Sequence, residues 1–208
     1  MNIRHAALPV VFIAVALFFA ARSSSQIRPK TMATPTPAPP SAREIQSARQ
    51  SFAGYQKWRL VNAQPFYIPE PLAIACAPIA MPSDSDSPSG ATSGSHPSKL
   101  GKFIRVFVNQ KGRAAMFTPQ GFNAKNPRFP AGSVIVKQKL ATKSSRAPEL
   151  LTIMVKEKAG WDAQNGDWRY IVTSGSGKKI YAQGKLKNCQ ACHIPRKDGD
   201  YTFRSYLP

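Results

Sequence analysis

Phe103-Ile-Arg-Val-Phe-Val-Asn109 alternates residue by residue: Phe103, Arg105 and Phe107 fall on one face of an extended chain, and Ile104, Val106 and Val108 on the other. Downstream, Ser133-Val-Ile-Val-Lys-Gln-Lys139 repeats the pattern, with Ile135, Lys137 and Lys139 opposite Val134 and Val136. Leu150 to Lys156 is a third such run, setting Leu150, Thr152 and Met154 against Leu151, Ile153 and Val155. Asn165-Gly166, between Trp161 and Trp168, is a strong hairpin signal. Trp168 to Thr173 then reads as a fourth strand, and Ser174-Gly-Ser-Gly177 turns into a fifth at Ile180 to Gln183. Thr118 to Pro130 reads as a short helix or loop. The expectation is an α+β domain, mainly β: an antiparallel sheet of about five strands with peripheral helices.

Upstream, Ser41 and Glu44 have the spacing of a capping box, and Ile45, Ala48, Phe52 and Tyr55 recur at helical spacing, so a helix of about three turns is predicted, frayed at Gly54. Trp58, Leu60, Phe66, Tyr67 and Ile68 form an aromatic, proline-punctuated segment that packs on the downstream chain. Residues 82–98 are a low-complexity Ser/Asp/Gly/Pro loop in which His96 is solvent-exposed. Cys76, among Ile74, Ala75, Ala77 and Ile79, reads as a small buried apolar residue. Residues 23–41 are a proline-rich linker, Thr34-Pro-Thr-Pro-Ala-Pro-Pro40 at its centre. Met1 to Arg4 is basic and Ala6 to Ala21 almost unbroken apolar, so residues 1–22 are a signal peptide or an uncleaved N-terminal membrane anchor. Both readings put the domain, residues 42–208, outside the cytoplasm, in the periplasm or its equivalent.

Near the C-terminus stands Cys189-Gln-Ala-Cys192-His193, on a helical turn for which Asn188 is the expected N-cap. Two thiols at this spacing each reach one vinyl group of a haem, and the following imidazole serves as proximal iron ligand. One covalently attached haem c per chain is therefore expected, with Cys189, Cys192 and His193 binding it and His193 on the metal. Such attachment takes place outside the cytoplasm, in agreement with the N-terminus. The same two cysteines also fit a redox pair or half of a zinc site. Zinc needs two further ligands, and the candidates are His193, Cys76 and His96 in its loop.

The chain carries 29 basic against 10 acidic residues, net +19, and 21 and 6 of these lie from Lys99 onward, so the excess belongs to the domain. No recognisable nucleic-acid-binding motif is present, which argues against nucleic acid as the partner. A basic extracytoplasmic haem protein is steered towards an anionic redox partner protein or membrane surface; a basic surface that merely keeps the protein soluble is the plainer alternative.

The Ile104-Arg105 strand, Phe129-Pro-Ala-Gly-Ser-Val-Ile-Val-Lys137, Met154-Val-Lys156, Gly166-Asp-Trp168, Cys189 to His193 and Asp200-x-x-Phe203 together resemble the cytochrome P-460 family, whose other branch is the beta type of cytochrome c-prime. The likeness runs from Trp58 to the C-terminus. It implies an antiparallel sheet with peripheral helices, often a homodimer, and a haem held by the proximal histidine alone with its distal side open to a small-molecule ligand. In hydroxylamine-oxidising members a lysine matched by Lys137 is bonded to a haem meso carbon, and a distal arginine is matched by Arg105. Those members also carry a distal carboxylate where this chain has Thr152, which cannot act as that base. In the gas-binding branch aromatic side chains cap the distal pocket; Phe103, Phe107 and Phe117 are the candidates here.

The residues themselves allow two readings of each. Lys137 alternates with Ile135 and so points to a buried surface, or it is an edge lysine beside Lys139 turned to water. Arg105 suits a haem propionate or a ligand oxyanion, or it lies across an exposed sheet. Three functions are consistent with these readings: an open-site cytochrome, with Arg105 and Lys137 catalytic, that binds or oxidises hydroxylamine or nitric oxide; a six-coordinate electron carrier with Met116 or Met154 as sixth ligand; and a haem-free protein clipped by zinc.

Overall fold

The structure is a computed structural model that describes residues 40–69, 101–119 and 126–207. The N-terminal apolar run, most of the proline-rich linker, Cys76, the loop with His96 and the middle of the segment from Thr118 to Pro130 lie outside the described residues.

Helix α1 (Ala42–Ser51) begins as its capping box dictates: Ser41 Oγ accepts from the Glu44 N–H while the Glu44 carboxylate accepts from the Ser41 N–H. The chain turns out of it through Gly54, in the left-handed region at φ 68°, into a short 3-10 turn at Tyr55–Lys57. Strands β1 (Arg59–Leu60) and β2 (Phe66–Ile68) come next, within the aromatic segment whose sequence predicts only packing. The long strands are β3 (Lys102–Val108), β4 (Val134–Leu140), β5 (Leu150–Lys156), β6 (Trp168–Ser174) and β7 (Ile180–Gly184). Among the described residues they form one antiparallel seven-stranded sheet in the order β1-β3-β4-β5-β6-β7, with β2 also pairing β3. The single-turn helix α2 (Arg113–Met116) lies ahead of the segment in which the sequence predicts a helix or loop. Asn165-Gly166 does sit in the turn between β5 and β6, though as the end of a 3-10 turn rather than a two-residue hairpin.

Pairing register decides which strand faces join. Val106 opposes Lys137, Lys137 opposes Thr152, and Thr152 opposes Val172, so these share one face. Phe107, Val136, Ile153 and Ile171 oppose one another in the same way on the reverse face. That reverse face buries Ala48 of α1, Phe52 at its C-cap and Tyr55 of the 3-10 turn that follows. The Lys137 face packs against Met116, Phe129 and the C-terminal segment, Cys189 and Tyr201 included. The sheet is therefore buried on both sides, which explains why β4, β5 and β6 are almost continuously apolar.

Helix α3 (Lys187–His193) carries the cysteines, and its N-cap is Leu186 rather than Asn188. It starts too early for Asn188 to stand outside it. A 3-10 stretch, Ile194–Gly199, leads from α3 to Asp200 and Tyr201, both in the left-handed region at φ 53° and 61°.

Phe52 anchors α1 to the sheet with only 6% of its surface exposed. Phe52→Ala is expected to destabilise the protein by about 3–4 kcal/mol. Denaturant unfolding checks this as a lower midpoint at unchanged slope.

Candidate functional site

The Lys137 face of the sheet is polar only locally. Around Lys137 and Thr152 stand Val106, Met154 and Val172, and the C-terminal segment closes over them to leave a cavity of about 370 Å³. Strands β4 to β6 supply one wall, and Cys189, Cys192 and His193 of α3 another, with Phe66 of β2 and Phe203 and Tyr206 of the C-terminal tail completing it. The volume and the mainly apolar lining are those of a small-molecule or cofactor site.

Asp200 holds the C-terminal segment in place. Its carboxylate accepts from the Phe129 N–H at 2.7 Å and from Lys156 Nζ at 2.6 Å, with the Lys156 and Asp200 side chains 13% and 4% exposed. Its carbonyl accepts from the Trp168 indole at 2.8 Å, while Lys156 also lies over the Trp168 ring. The following left-handed residue, Tyr201, turns its carbonyl towards His193, whose Nδ1 lies 2.6 Å away. A carbonyl can only accept, so Nδ1 carries the proton and Nε2 keeps its lone pair. Tyr201 in turn leaves no space at Gly166, where a Cβ would come within 2.3 Å of its ring, and its hydroxyl donates to the Gln164 carbonyl. Gln190 of α3 reaches the same β5–β6 connection by donating to Asp162 at 2.6 Å.

His193 is enclosed by Tyr170 and Phe203, with ring centroids at 5.4 and 5.0 Å. Burial lowers its pKa to about 4; the hydrogen bond to Tyr201 opposes that shift and the Lys137 charge adds to it. The imidazole is thus neutral at physiological pH, the form that ligates a metal. Tyr170 is 3% exposed and its hydroxyl has no hydrogen-bond partner among the described residues. Burial, followed by Cys189, Asp162 and Cys192, raises its pKa, so it stays a phenol with a proton to donate.

A haem fits these residues. The wall is apolar, two half-buried thiols at Cys-x-x-Cys spacing lie on it, a neutral histidine with a directed lone pair stands beside them, and the unpartnered Tyr170 hydroxyl lies in the same wall. Cys189, Cys192 and His193 could hold the group, with Lys137 and Thr152 on the sheet wall. Among the described residues no three His, Cys, Asp or Glu side chains gather as a metal-binding group, so nothing there closes a zinc site around the cysteines.

Arg105 is not brought to this cavity. It opposes Gln138, one residue out of step with the Val106–Lys137 pair, and Gln138 donates to the Tyr55 hydroxyl on the α1 side. The two-residue strand period therefore sends Arg105 to the reverse face, which corrects the expectation that it shares a distal pocket with Lys137. Nor do the expected capping aromatics line it: Phe107 packs edge-on against Tyr55, Phe103 against Tyr67, and Phe117 lies beneath Arg59. The aromatic walls come instead from Phe66, Tyr67, Tyr170, Phe203 and Tyr206, none of them a candidate on sequence grounds. Tyr170 alone carries a usable signal, its alternation with Trp168 and Val172 along one strand face. Of the two candidate methionines, Met154 lines the cavity while Met116 is fully buried in the core next to it.

Residues 86–204 match the cytochrome P-460 family. The chain belongs to that family. It is accordingly a c-type cytochrome of the P-460 kind, with haem as its cofactor. The match spans α2, every strand from β3 to β7, α3 and the segment through Asp200 and Phe203. No curated protein matches the chain.

Asp200→Ala leaves the Lys156 ammonium buried without its carboxylate and frees the Phe129 N–H. The expected cost is about 3–5 kcal/mol, read from chemical unfolding, with Asp200→Asn losing less because the amide still accepts from Phe129.

Proposed function

We propose that the chain is an exported mono-haem cytochrome c whose open distal site binds or oxidises small nitrogen species such as nitric oxide or hydroxylamine. In this reading Cys189 and Cys192 form the two thioethers and His193 Nε2 is the only protein ligand to iron. The observation that carries it is the His193 imidazole: neutral, with its Nδ1 proton committed to the Tyr201 carbonyl, in one cavity with both thiols and Lys137. When bound, the haem supplies an iron that takes up small ligands and exchanges single electrons.

The chain's own residues set what happens there. Tyr201 fixes the tautomer and orientation of His193 and makes it a stronger donor. Phe203 and Tyr170 on either side keep water from its ring. On the sheet wall Lys137 is the cationic group among the described lining residues, so the charge-stabilising role falls to it and not to Arg105. The resemblance further implies a bond from its amine to the macrocycle, an interaction that would also remove the cost of a lysine against an apolar wall.

Thr152 stands opposite Lys137 in the register, and among the described residues no carboxylate lines the cavity. Oxidising hydroxylamine to nitric oxide releases three protons and so calls for a base. The wall therefore favours ligand binding, nitric oxide foremost, over hydroxylamine oxidation. Export rests on the apolar N-terminal run together with the attachment motif; among the described residues no helix is long and apolar enough to cross a membrane. The second reading, a six-coordinate electron carrier, draws on Met154, whose thioether lines the same cavity.

Expression in a host that matures c-type cytochromes is expected to give haem that stays with the polypeptide through a denaturing gel. Cys189→Ala/Cys192→Ala is expected to lose it entirely, and a wild-type chain with no added haem mass would end the proposal. The reduced protein is expected to bind carbon monoxide promptly. Refusal by the wild type, relieved in Met154→Leu, would instead establish the electron carrier. A red-shifted ferrous Soret band that returns to an ordinary haem c position in Lys137→Met marks the lysine bond; an ordinary band in the wild type removes it.

A further inference from the structure

Helix α3 has two sides. Cys189, Cys192 and His193 line the cavity, whereas Lys187, Asn188 and Ala191 are exposed, and Ile194 and Pro195 continue that outer surface beyond the helix end. Ile194 is 46% exposed, one of four exposed large hydrophobic side chains among the described residues and the one beside the thiol-bearing helix. Lys185, Lys187, Arg196 and Lys197 are exposed around it, against one exposed carboxylate in the same stretch, Asp198. Lys185 is engaged, with its ammonium 5.0 Å from the Trp161 ring and 4.0 Å from Asp162.

One of these cations is joined to the site by stacked side chains. The Arg196 guanidinium lies 5.1 Å from the centre of the Phe203 ring, and Phe203 meets His193 edge-on at 5.0 Å. A carboxylate paired with Arg196 from outside is therefore separated from the His193 imidazole by two van der Waals contacts.

We propose that this outer surface, with Ala191, Ile194 and Pro195 at its centre and Lys187, Arg196 and Lys197 on its rim, docks an acidic one-electron redox protein. The inference rests on the haem reading above. A small apolar centre inside a charged rim is the anatomy of a transient redox interface, and the basic rim selects and steers an acidic partner. The docked partner sits against the helix whose other side carries the attachment cysteines and His193. With haem held by Cys189, Cys192 and His193, the docked partner's oxidised centre would accept one electron from it, with no bond made or broken.

The probe is an acidic plastocyanin-type copper protein, Cu(II) on mixing. Zero-length carbodiimide coupling at low ionic strength, followed by peptide mapping, reports which lysines touch its carboxylates whether or not haem is present. Lys187 and Lys197 are expected to dominate the map. In stopped-flow oxidation of the ferrous holoprotein, Lys187→Glu/Arg196→Glu is expected to lower the second-order rate about tenfold. Lys143→Glu/Arg146→Glu, an equal charge change on the exposed β4–β5 connection, is expected to lower it less than about twofold. Cross-links spread over Lys143, Lys178 and Lys179, or equal slowing by both double variants, overturn the docking surface. The haem content of each sample is read separately from its pyridine haemochrome spectrum. A haem-free chain that still couples through Lys187 and Lys197 defeats the haem reading and leaves the docking surface standing.

Discussion

The buried ion pair between Asp200 and Lys156 is the constraint on which the site depends. Asp200 gathers the end of β5, the start of β6 through the Trp168 indole, and the approach to β4 through the Phe129 N–H onto one residue of the C-terminal segment. A buried ion pair contributes little net stability compared with a well-packed apolar contact, because both ions must leave water. What it supplies here is position. With Asp200 fixed, the left-handed turn at Asp200 and Tyr201 has one way to run, and the Tyr201 carbonyl lands against His193. Gly166, unable to carry a side chain beneath the Tyr201 ring, secures the same residue from the β5–β6 connection.

The cavity is a product of that arrangement. The tail closes over a sheet face whose rows differ: Ile135, Met154 and Tyr170 form one row, Val106, Lys137, Thr152 and Val172 the next. The apolar row carries the phenol beside the cysteines, and the second row sets a cation and a hydroxyl into an otherwise apolar wall. The burial that this closure creates keeps His193 neutral, while Lys137 and Thr152 place a cation and a hydroxyl on the sheet wall of the same cavity.

Much of this is legible in the sequence. Strands β3 to β6 show themselves because each is a seven-residue run rich in β-branched and apolar residues, the five-residue β7 because the Ser174–Gly177 turn leads into it, and α1 because Ser41 and Glu44 spell its first turn. Strands β1 and β2, of two and three residues, are too short to display a period. Alternation also gives each strand two faces without saying which face of one joins which face of the next. Arg105 and Lys137 can each be placed within their own strands from the pattern alone, but whether they meet cannot, since only the Val106–Lys137 pairing settles the matter. The N-terminus of α3 is hard to read because Leu186 makes no side-chain cap to be recognised. Lys156, Trp168 and Asp200 stand out as pieces of a family likeness, but their meeting at one point is a long-range fact that no local pattern encodes.

The reach of the Asp200 latch has a consequence for how the protein is made. Its partners Phe129, Lys156 and Trp168 lie well upstream, so a nascent chain that has emerged only as far as Gly199 already possesses the described strands, the helix with both thiols and the Gln190–Asp162 contact, but not the residue that ties the tail to β5, β6 and the approach to β4. Synthesis runs from the N-terminus, and the sheet can pair before the fastening residue exists. The Tyr201 carbonyl that orients His193 lies on the same late stretch, so the wall bearing the two thiols and the imidazole is the part of the cavity whose geometry awaits the last residues made.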